Sequence, residues 1–395
     1  MKIKILSVVT LLVLGCTFIS PFTTFADSVN TNTTAAATEA AEVTTTSSNA
    51  ITLTLQDAYT KLESSSTRKQ LDLNKKSDEA VAKGYAESYS TAIKQEAAAN
   101  ASTDFSSYSS ANNKMYAAQK KFAASMIEAN NTARLSKMNR DAFEKYFTIE
   151  NAAQKLAIAQ NNLSLKEKLL VAANQKYEQG TVSKADVLNA TINVKTAEDQ
   201  SISAKNTLEN LKMNFNIYLG YDLLQELVLT DSIQESDLSE TSLEDAIKAA
   251  LENRNEIKQA TYNLELAQLN FNNYKAYPTS SAKYLTAETK LLMAQSNVDI
   301  MPATIEMDIR SKYSAMTEKY HIVQTGKQNV LNAEEATRIA ESRYSVGMST
   351  LSDVQQAQIT QYNAQLSQAN SLLEFKLAVE DYNLAAGIGI TAANL

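Results

Sequence analysis

Over long stretches the apolar residues recur at alternating gaps of three and four. One series runs Leu135, Met138, Ala142, Lys145, Ile149, Ala152, Leu156, Ala159, Leu163, Lys166, Leu170, Ala173 and Tyr177, and only its two lysines are polar. A period of 3.5 held without a slip is the seam of a coiled coil. A second series follows a break at Gly180: Val187, Ala190, Val194, Ala197, Ser201, Ala204, Leu208, Leu211, Phe215 and Tyr218. A third falls on the same register before Gly347: Ile305, Ile309, Met316, Val323, Val330, Ala333, Ala340 and Tyr344. These patterns predict an all-α protein of long antiparallel helical hairpins. A helix from about residue 125 to 178 would be roughly 80 Å long at 1.5 Å per residue.

Helix starts are marked four times by Ser/Thr-x-x-Asp, at Thr54/Asp57, Ser183/Asp186, Ser242/Asp245 and Thr350/Asp353. In such a box the hydroxyl accepts from a first-turn N–H, and the carboxylate sits at the positive end of the helix dipole. Gly180 and Gly347 follow the last residues of their seams and predict left-handed helix caps. The turns beginning at these glycines are therefore tight hairpin tips.

The chain also repeats itself. Thr54, Leu55, Asp57 and Ala58 match Ser242, Leu243, Asp245 and Ala246 at an offset of 188. Tyr177, Gly180, Asp186, Val187 and Ala190 match Tyr344, Gly347, Asp353, Val354 and Ala357 at an offset of 167, which also carries Gly220 onto Gly387. The first copy thus holds 188 − 167 = 21 extra residues in its middle. The expected organisation is a signal peptide over 1–26, a Thr/Ala/Ser-rich disordered linker over 27–50, a first helical repeat over 51–220, an acidic loop-like bridge over 221–241 and a second repeat over 242–395.

Composition sharpens this picture. Only 8 Gly and 3 Pro occur, against about 28 and 20 at average usage. No Pro lies between Pro21 and Pro278, which suits long helices and argues against loop-rich β or doubly wound α/β folds. A single Cys excludes a disulfide framework, and a single His argues against a His-based metal site. The net charge of −7 leaves no basic footprint for nucleic acid. No phosphate loop, nucleophile–base constellation or cofactor motif is visible, so nothing points to an enzyme. His321 lies among charged residues and Glu334/Glu335 has no His or Cys nearby; both read as solvated faces.

At the N-terminus, Lys2 and Lys4 precede the apolar run Ile5 to Leu14, and Thr24-Phe25-Ala26 offers a cleavage site. An alternative reading takes Val13-Leu14-Gly15-Cys16 as a lipobox with Cys16 lipidated. Either way the chain is expected to be exported to the cell envelope or cell surface.

The duplicated pair of long helices, the Y-x-x-G-x-x-x-x-x-D-V tip of each copy and the L-x-x-A opening helix resemble the TolC family of outer-membrane efflux proteins, over about Leu53 to Gly387. The resemblance implies a homotrimer whose twelve long helices form a hollow α-barrel. Its tips would form an entrance that meets a periplasmic-adaptor-like protein and an ABC or other inner-membrane pump. It also implies a β-hairpin inserted in each copy to build a membrane barrel. The corresponding stretches here, 84–115 and 276–302, show no lipid-facing alternation or aromatic girdle, and Trp is absent. The second, bounded by Pro278 and Pro302, reads as a loop plus a short helix. The expectation is an α-barrel without a membrane β-barrel, suited to a single-membrane bacterium with a thick wall.

By the same resemblance Asp186 and Asp353 line the pore entrance. The resemblance implies that Tyr344 helps hold it shut and that Gln356 stands where a second ring acid would be. Gly180, Thr181, Gly347 and Met348 contact the adaptor. Ser349 replaces the family's gate arginine. The aspartates also have a purely local use as capping-box acids, and Tyr344 as a seam residue. An alternative to the conduit is a cell-surface coiled-coil scaffold or adhesin that kept the helices without a channel. A pump-associated adaptor would carry β-rich segments beside its hairpin, and none are visible.

Overall fold

The computed structural model describes residues 50–101, 110–233, 238–239 and 241–395. The expected signal peptide, the alternative lipidation site Cys16 and nearly all of the expected linker lie outside them. A short strand β1 (Ile51–Leu53) leads into α1 (Leu55–Leu62), α2 (Ser66–Asn100), α3 (Ser110–Glu178) and α4 (Lys184–Leu219). Strand β2 (Leu227–Leu229) precedes α5 (Leu243–Asn253), α6 (Asn255–Tyr274), α7 (Ala282–Ser345) and α8 (Leu351–Ala386). The two halves thus share an order of helices: short, intermediate, very long, then a 36-residue return helix.

The seams form as their spacing predicts. All ten positions of the second series, on α4, are buried or half-buried against α3. On α7, Ile305, Ile309, Met316 and Val323 are buried with Phe375 and Tyr382 of α8. Burying such stripes, at about 25 cal/mol per Å² of apolar surface, is what makes helices of this length stable.

The return helices stack end to end with the intermediate ones. A Cβ at Gly220, just past α4, would lie 3.6 Å from the Cα of Ser65, the N-cap of α2. The Thr67 hydroxyl donates to the Tyr218 carbonyl at 3.0 Å across this junction. In the second half a Cβ at Gly389 would lie 3.2 Å from Arg254 Nε, just ahead of α6. So α2 and α4 both pack on α3, α6 and α8 both pack on α7, and α3 meets α8 and α6 between the halves. This leaves α4 and α7 at opposite edges.

Tyr146 of α3 pins the end of β1 to the bridge. Its hydroxyl donates to the Leu53 carbonyl at 2.9 Å and accepts from the Thr230 and Asp231 N–H groups at 3.2 and 3.0 Å. Asp231 accepts from the Leu55 N–H at 2.7 Å, supplying a partner for the first turn of α1.

Three expectations need correction, and one matched pair differs in conformation. The bridge is not all loop: β2 pairs in parallel with β1, Ile51 opposite Leu227. Helix α3 starts at Ser110 rather than near residue 125, and its 69 residues span roughly 100 Å. Residues 282–302 are not a loop with a short helix but the opening turns of the 64-residue α7, with Pro302 inside it. The seam explains this. Ala287, Leu291, Ala294, Val298 and Met301 continue the three–four spacing up to Ile305 and are buried or half-buried, α7 packs on α6, and Pro302 sits on the exposed face. Gly220 and Gly387 differ in conformation: Gly220 is left-handed at φ 78°, Gly387 is not, and Gly389 takes that role at φ 74°.

Among the described residues, β1 and β2 are the only strands, and no helix is long and apolar enough to cross a membrane. Residues 84–100 belong to α2 and 110–115 to α3, while 102–109 lie outside the described residues.

Candidate functional site at the paired hairpin tips

Each tip is built by two interlocking caps. At the first, the Thr181 N–H donates to the Lys176 carbonyl and the Gly180 N–H to the Tyr177 carbonyl, both at 2.9 Å. At the second, Met348 donates to Arg343 at 2.8 Å and Gly347 to Tyr344 at 3.1 Å. This doubly bonded closure needs a left-handed residue, and Gly180 and Gly347 have φ of 74° and 77°. Nothing lies within 4 Å of a Cβ built on either glycine, so the backbone conformation alone demands glycine there.

The return helix then starts on a reciprocal capping box. Asp186 Oδ2 accepts from the Ser183 N–H at 3.0 Å and its hydroxyl at 2.8 Å, and the Asp186 N–H donates back to Ser183 Oγ. Asp353 Oδ2 likewise accepts from the Thr350 N–H and hydroxyl, both at 2.8 Å. Ser349, standing where the resemblance implies an arginine, donates a further hydrogen bond to Asp353 at 3.0 Å. These donors hold both carboxyls below their ordinary values: the hydroxyl of Ser183 first for Asp186, the backbone N–H of Thr350 first for Asp353. Thr54/Asp57 closes in the same reciprocal way. The fourth box is partial. Ser242 accepts from the Asp245 N–H at 3.2 Å and donates its hydroxyl to the carboxylate, while the return bond to the Ser242 N–H is absent from its geometry.

The fold sets the two tips side by side. The Lys176 ammonium of the first hairpin lies 4.8 Å from the centre of the Tyr344 ring of the second and donates to the Ser345 carbonyl at 3.3 Å. Leu169, Ala173, Val187, Ala190, Tyr344, Leu351 and Val354 form one small core behind both tips. A hollow of about 470 Å³ opens between them, lined by Gly180, Thr181, Asp186, Tyr344, Gly347 and Ser349 among others. A larger hollow, about 690 Å³, lies away from the tips along Asp141, Lys145 and Phe215 and gathers none of the predicted site residues.

Tyr344 is buried with its hydroxyl unpartnered, and burial, with the Asp186 charge second, pushes that hydroxyl above its ordinary value. Met348 and Gln356 are exposed, and Asp353 stands on the solvent side of its helix. His321 is exposed; Glu335 pairs with Arg338 at 2.7 Å and Glu334 accepts from Gln365. No group of three or more His, Cys, Asp or Glu among the described residues is placed to hold a metal ion.

No protein-family model and no curated protein matches the chain. Solved structures do. The outer membrane protein VceC of Vibrio cholerae aligns with a TM-score of 0.63 at 15% identity, over 85% of this chain and 97% of its own. A membrane protein from Pseudomonas aeruginosa gives 0.65 at 12%, over 85% and 90%. The open-state MtrE outer membrane channel of Neisseria gonorrhoeae gives 0.59 at 14%, over 86% and 90%. The fold is TolC-like. At these identities the likeness concerns the fold, and the helical hairpins with their paired tips are its content in this chain.

One constellation escaped the sequence reading. Lys166 Nζ donates to Gln358 Oε1 at 3.1 Å, and Gln358 Nε2 donates to Glu341 Oε1 at 2.9 Å, tying α3, α8 and α7 together one turn behind the tip core. Its sequence signal is one of the two lysines on an otherwise apolar seam, and nothing in the spacing names the partner.

Proposed function

We propose that the chain is the protomer of an exported, trimeric conduit in an efflux or secretion system of the cell envelope. It works with an adaptor and an inner-membrane pump at its tips. The observation that carries this reading is the convergence of both glycine tips on one hollow, within a fold shared with outer membrane channels. Assembly is supported by the edges. Leu188, Ile192 and Ile202 on α4, and Leu292, Ile300, Met307 and Leu331 on α7, are exposed apolar residues of helices that do not pack on each other. A ring in which α4 of one copy meets α7 of the next covers both stripes at once. Three copies bring Asp186 and Asp353 to six carboxylates near one axis, a mouth that favours cations. Gly180, Thr181, Gly347 and Met348 present the adaptor surface.

The test pairs mass and transport. Light scattering of the purified chain is expected to give a trimer at micromolar concentration, and deletion of the gene to sensitise its host to exported compounds. The tip change Met348→Glu is expected to reproduce the deletion without loss of the trimer. A monomer, with transport intact after deletion, overturns the conduit. It would favour the cell-surface scaffold, the reading suited to a chain whose described residues include no membrane strand pair.

A further inference from the structure

The seams inside and between the hairpins differ in chemistry. Within them, α3 on α4 and α7 on α8 bury Ala, Val, Leu, Ile and Met, with polar pairs such as Asn162–Gln200 and Glu334–Gln365 beside these. Between them, α3 meets α8 through the Arg140–Asp381 ion pair at 2.9 Å, through the apolar tip core, and, between these two, through amides and an ammonium. Asn151 Nδ2 donates to the Ala369 carbonyl at 2.7 Å, and Lys166 donates to Gln358 at 3.1 Å. Lys166 is 5% exposed and Gln358 2% exposed. A charge in such surroundings is costly unless a carboxylate compensates it. Among the described residues the hydrogen-bond partner of Lys166 is the neutral amide of Gln358, and the carboxylate of Glu341 reaches it only through that amide.

We propose that Lys166 makes the α3–α8 seam a proton-controlled joint between the two hairpins. With the ammonium charged the seam loosens and admits water. With the amine neutral α3 and α8 close on each other. The tip core begins at Leu169 on α3 and includes Val354 on α8, so a change at Lys166 and Gln358 is passed to the spacing of the tips. Burial pushes the Lys166 amine down to about 8, which brings its charge within reach of mild pH change. The other groups at this level do not supply the missing partner. On α4, in the register set by Asn162 and Gln200, Lys195 and Glu198 are bound to each other at 2.7 Å and Asp199 is exposed. On α8, Tyr362 is held neutral by burial. On α7, Glu341 is taken by Gln358. On α3 itself, Glu167 and Lys168 are exposed.

The sign follows from linkage. The closed seam binds its proton more weakly than the open one, so raising the pH favours closure from about pH 8 up to the ordinary lysine value. The joint belongs to the single chain and does not depend on the conduit reading. Spin labels on Thr181→Cys and Met348→Cys, in the full chain with Cys16→Ser, report the tip-to-tip distance by pulsed electron resonance. In that background the ratio of separated to joined tips is expected to fall ten-fold or more from pH 7 to pH 9.5. Lys166→Met should hold the tips joined at both pH values, and Lys166→Arg should keep them separated at both. Gln358→Glu, which sets a carboxylate against the ammonium, should join them at pH 7. Circular dichroism of each variant checks that the helices persist, and if Lys166→Met does not fold, the Arg and Glu variants carry the test. An equal pH response in wild type and Lys166→Arg, or no pH response in wild type, overturns the joint. Trimer formation and transport are read separately, so failure of the conduit reading leaves this result standing.

Discussion

Tyr177 and Tyr344 stand at the same place in their hairpins, three residues before the tip glycine, yet one is 42% exposed and the other 5%. Each has a lysine over its ring. For Tyr177 it is Lys184 of the same tip, and for Tyr344 it is Lys176 of the other. The same offset pairs Lys166 with Ala333, both buried, one an ammonium bonded across to α8 of the other hairpin and the other a methyl group. It pairs Val182 with Ser349, so only the second capping box gains a third donor. Local sequence makes the two hairpins alike; their placement in the fold leaves Tyr177 in solvent and buries Tyr344. The lesson is that a duplicated helix pair keeps its tip chemistry through short-range bonds, while its burial is decided by which edge faces the other copy.

The largest effect should come from transplanting the difference. Ala333→Lys places an ammonium at a buried position of α7 that the wild type fills with a methyl group, and should cost about 3–5 kcal/mol in urea unfolding. Lys166→Ala in the first hairpin should cost far less. Equal losses would mean the two seams are not chemically distinct.

A second effect is pH dependence. The folded chain holds Lys166 near 8 while the unfolded chain holds it near 10.5, so the unfolded state binds more protons in that window. Stability of the wild type relative to Lys166→Met should therefore rise between about pH 8 and 10.5, by about 1–2 kcal/mol after allowing for solvent screening. A flat difference across that window would place the amine in ordinary solvent.

The capping boxes give a smaller contrast. Ser183→Ala should lose about 1 kcal/mol, as caps generally do. Thr350→Ala should lose a few tenths less, roughly, because the Ser349 hydroxyl still holds Asp353 over the first turn of α8. Thermal melts of the two variants decide it, and a larger loss at Thr350 would leave Ser349 without that role.

The smallest effect is expected at the tyrosines. Tyr344→Phe removes a buried hydroxyl that has no partner among the described residues and should raise stability by about 0.5 kcal/mol, while Tyr177→Phe should be neutral. A loss of melting temperature on Tyr344→Phe, seen only at concentrations where copies associate, would show that a neighbouring copy supplies an acceptor.

Much of the tip was legible in advance. The left-handed glycines, the boxes of Ser183 and Thr350 and the helix pairs they join all follow from contacts within five residues, and those are written in the order of the chain. The proline at 302 misled the reading of the region before it. Its penalty is local, while the seam from Ala287 to Met301 that outweighs it stabilises the helix only once α6 packs beside it. The bridge strand β2 was illegible for a related reason: three residues form a strand only because Ile51–Leu53 and the Tyr146 hydroxyl lie beside them.

What the amino-acid order determined by itself was periodicity: where helices run, where they stop, and that two hairpins share one design. Hydrophobic spacing and capping act over one or two turns, so they can be read without knowing the neighbours. Tertiary structure alone decided that Lys176 reaches Tyr344, that Gln356 stays in solvent while Gln358, two residues on, is buried, and that Lys166 finds an amide rather than a carboxylate. Those pairings join residues 168 to 192 positions apart, and the energy that selects them is the packing of whole helices rather than any local preference.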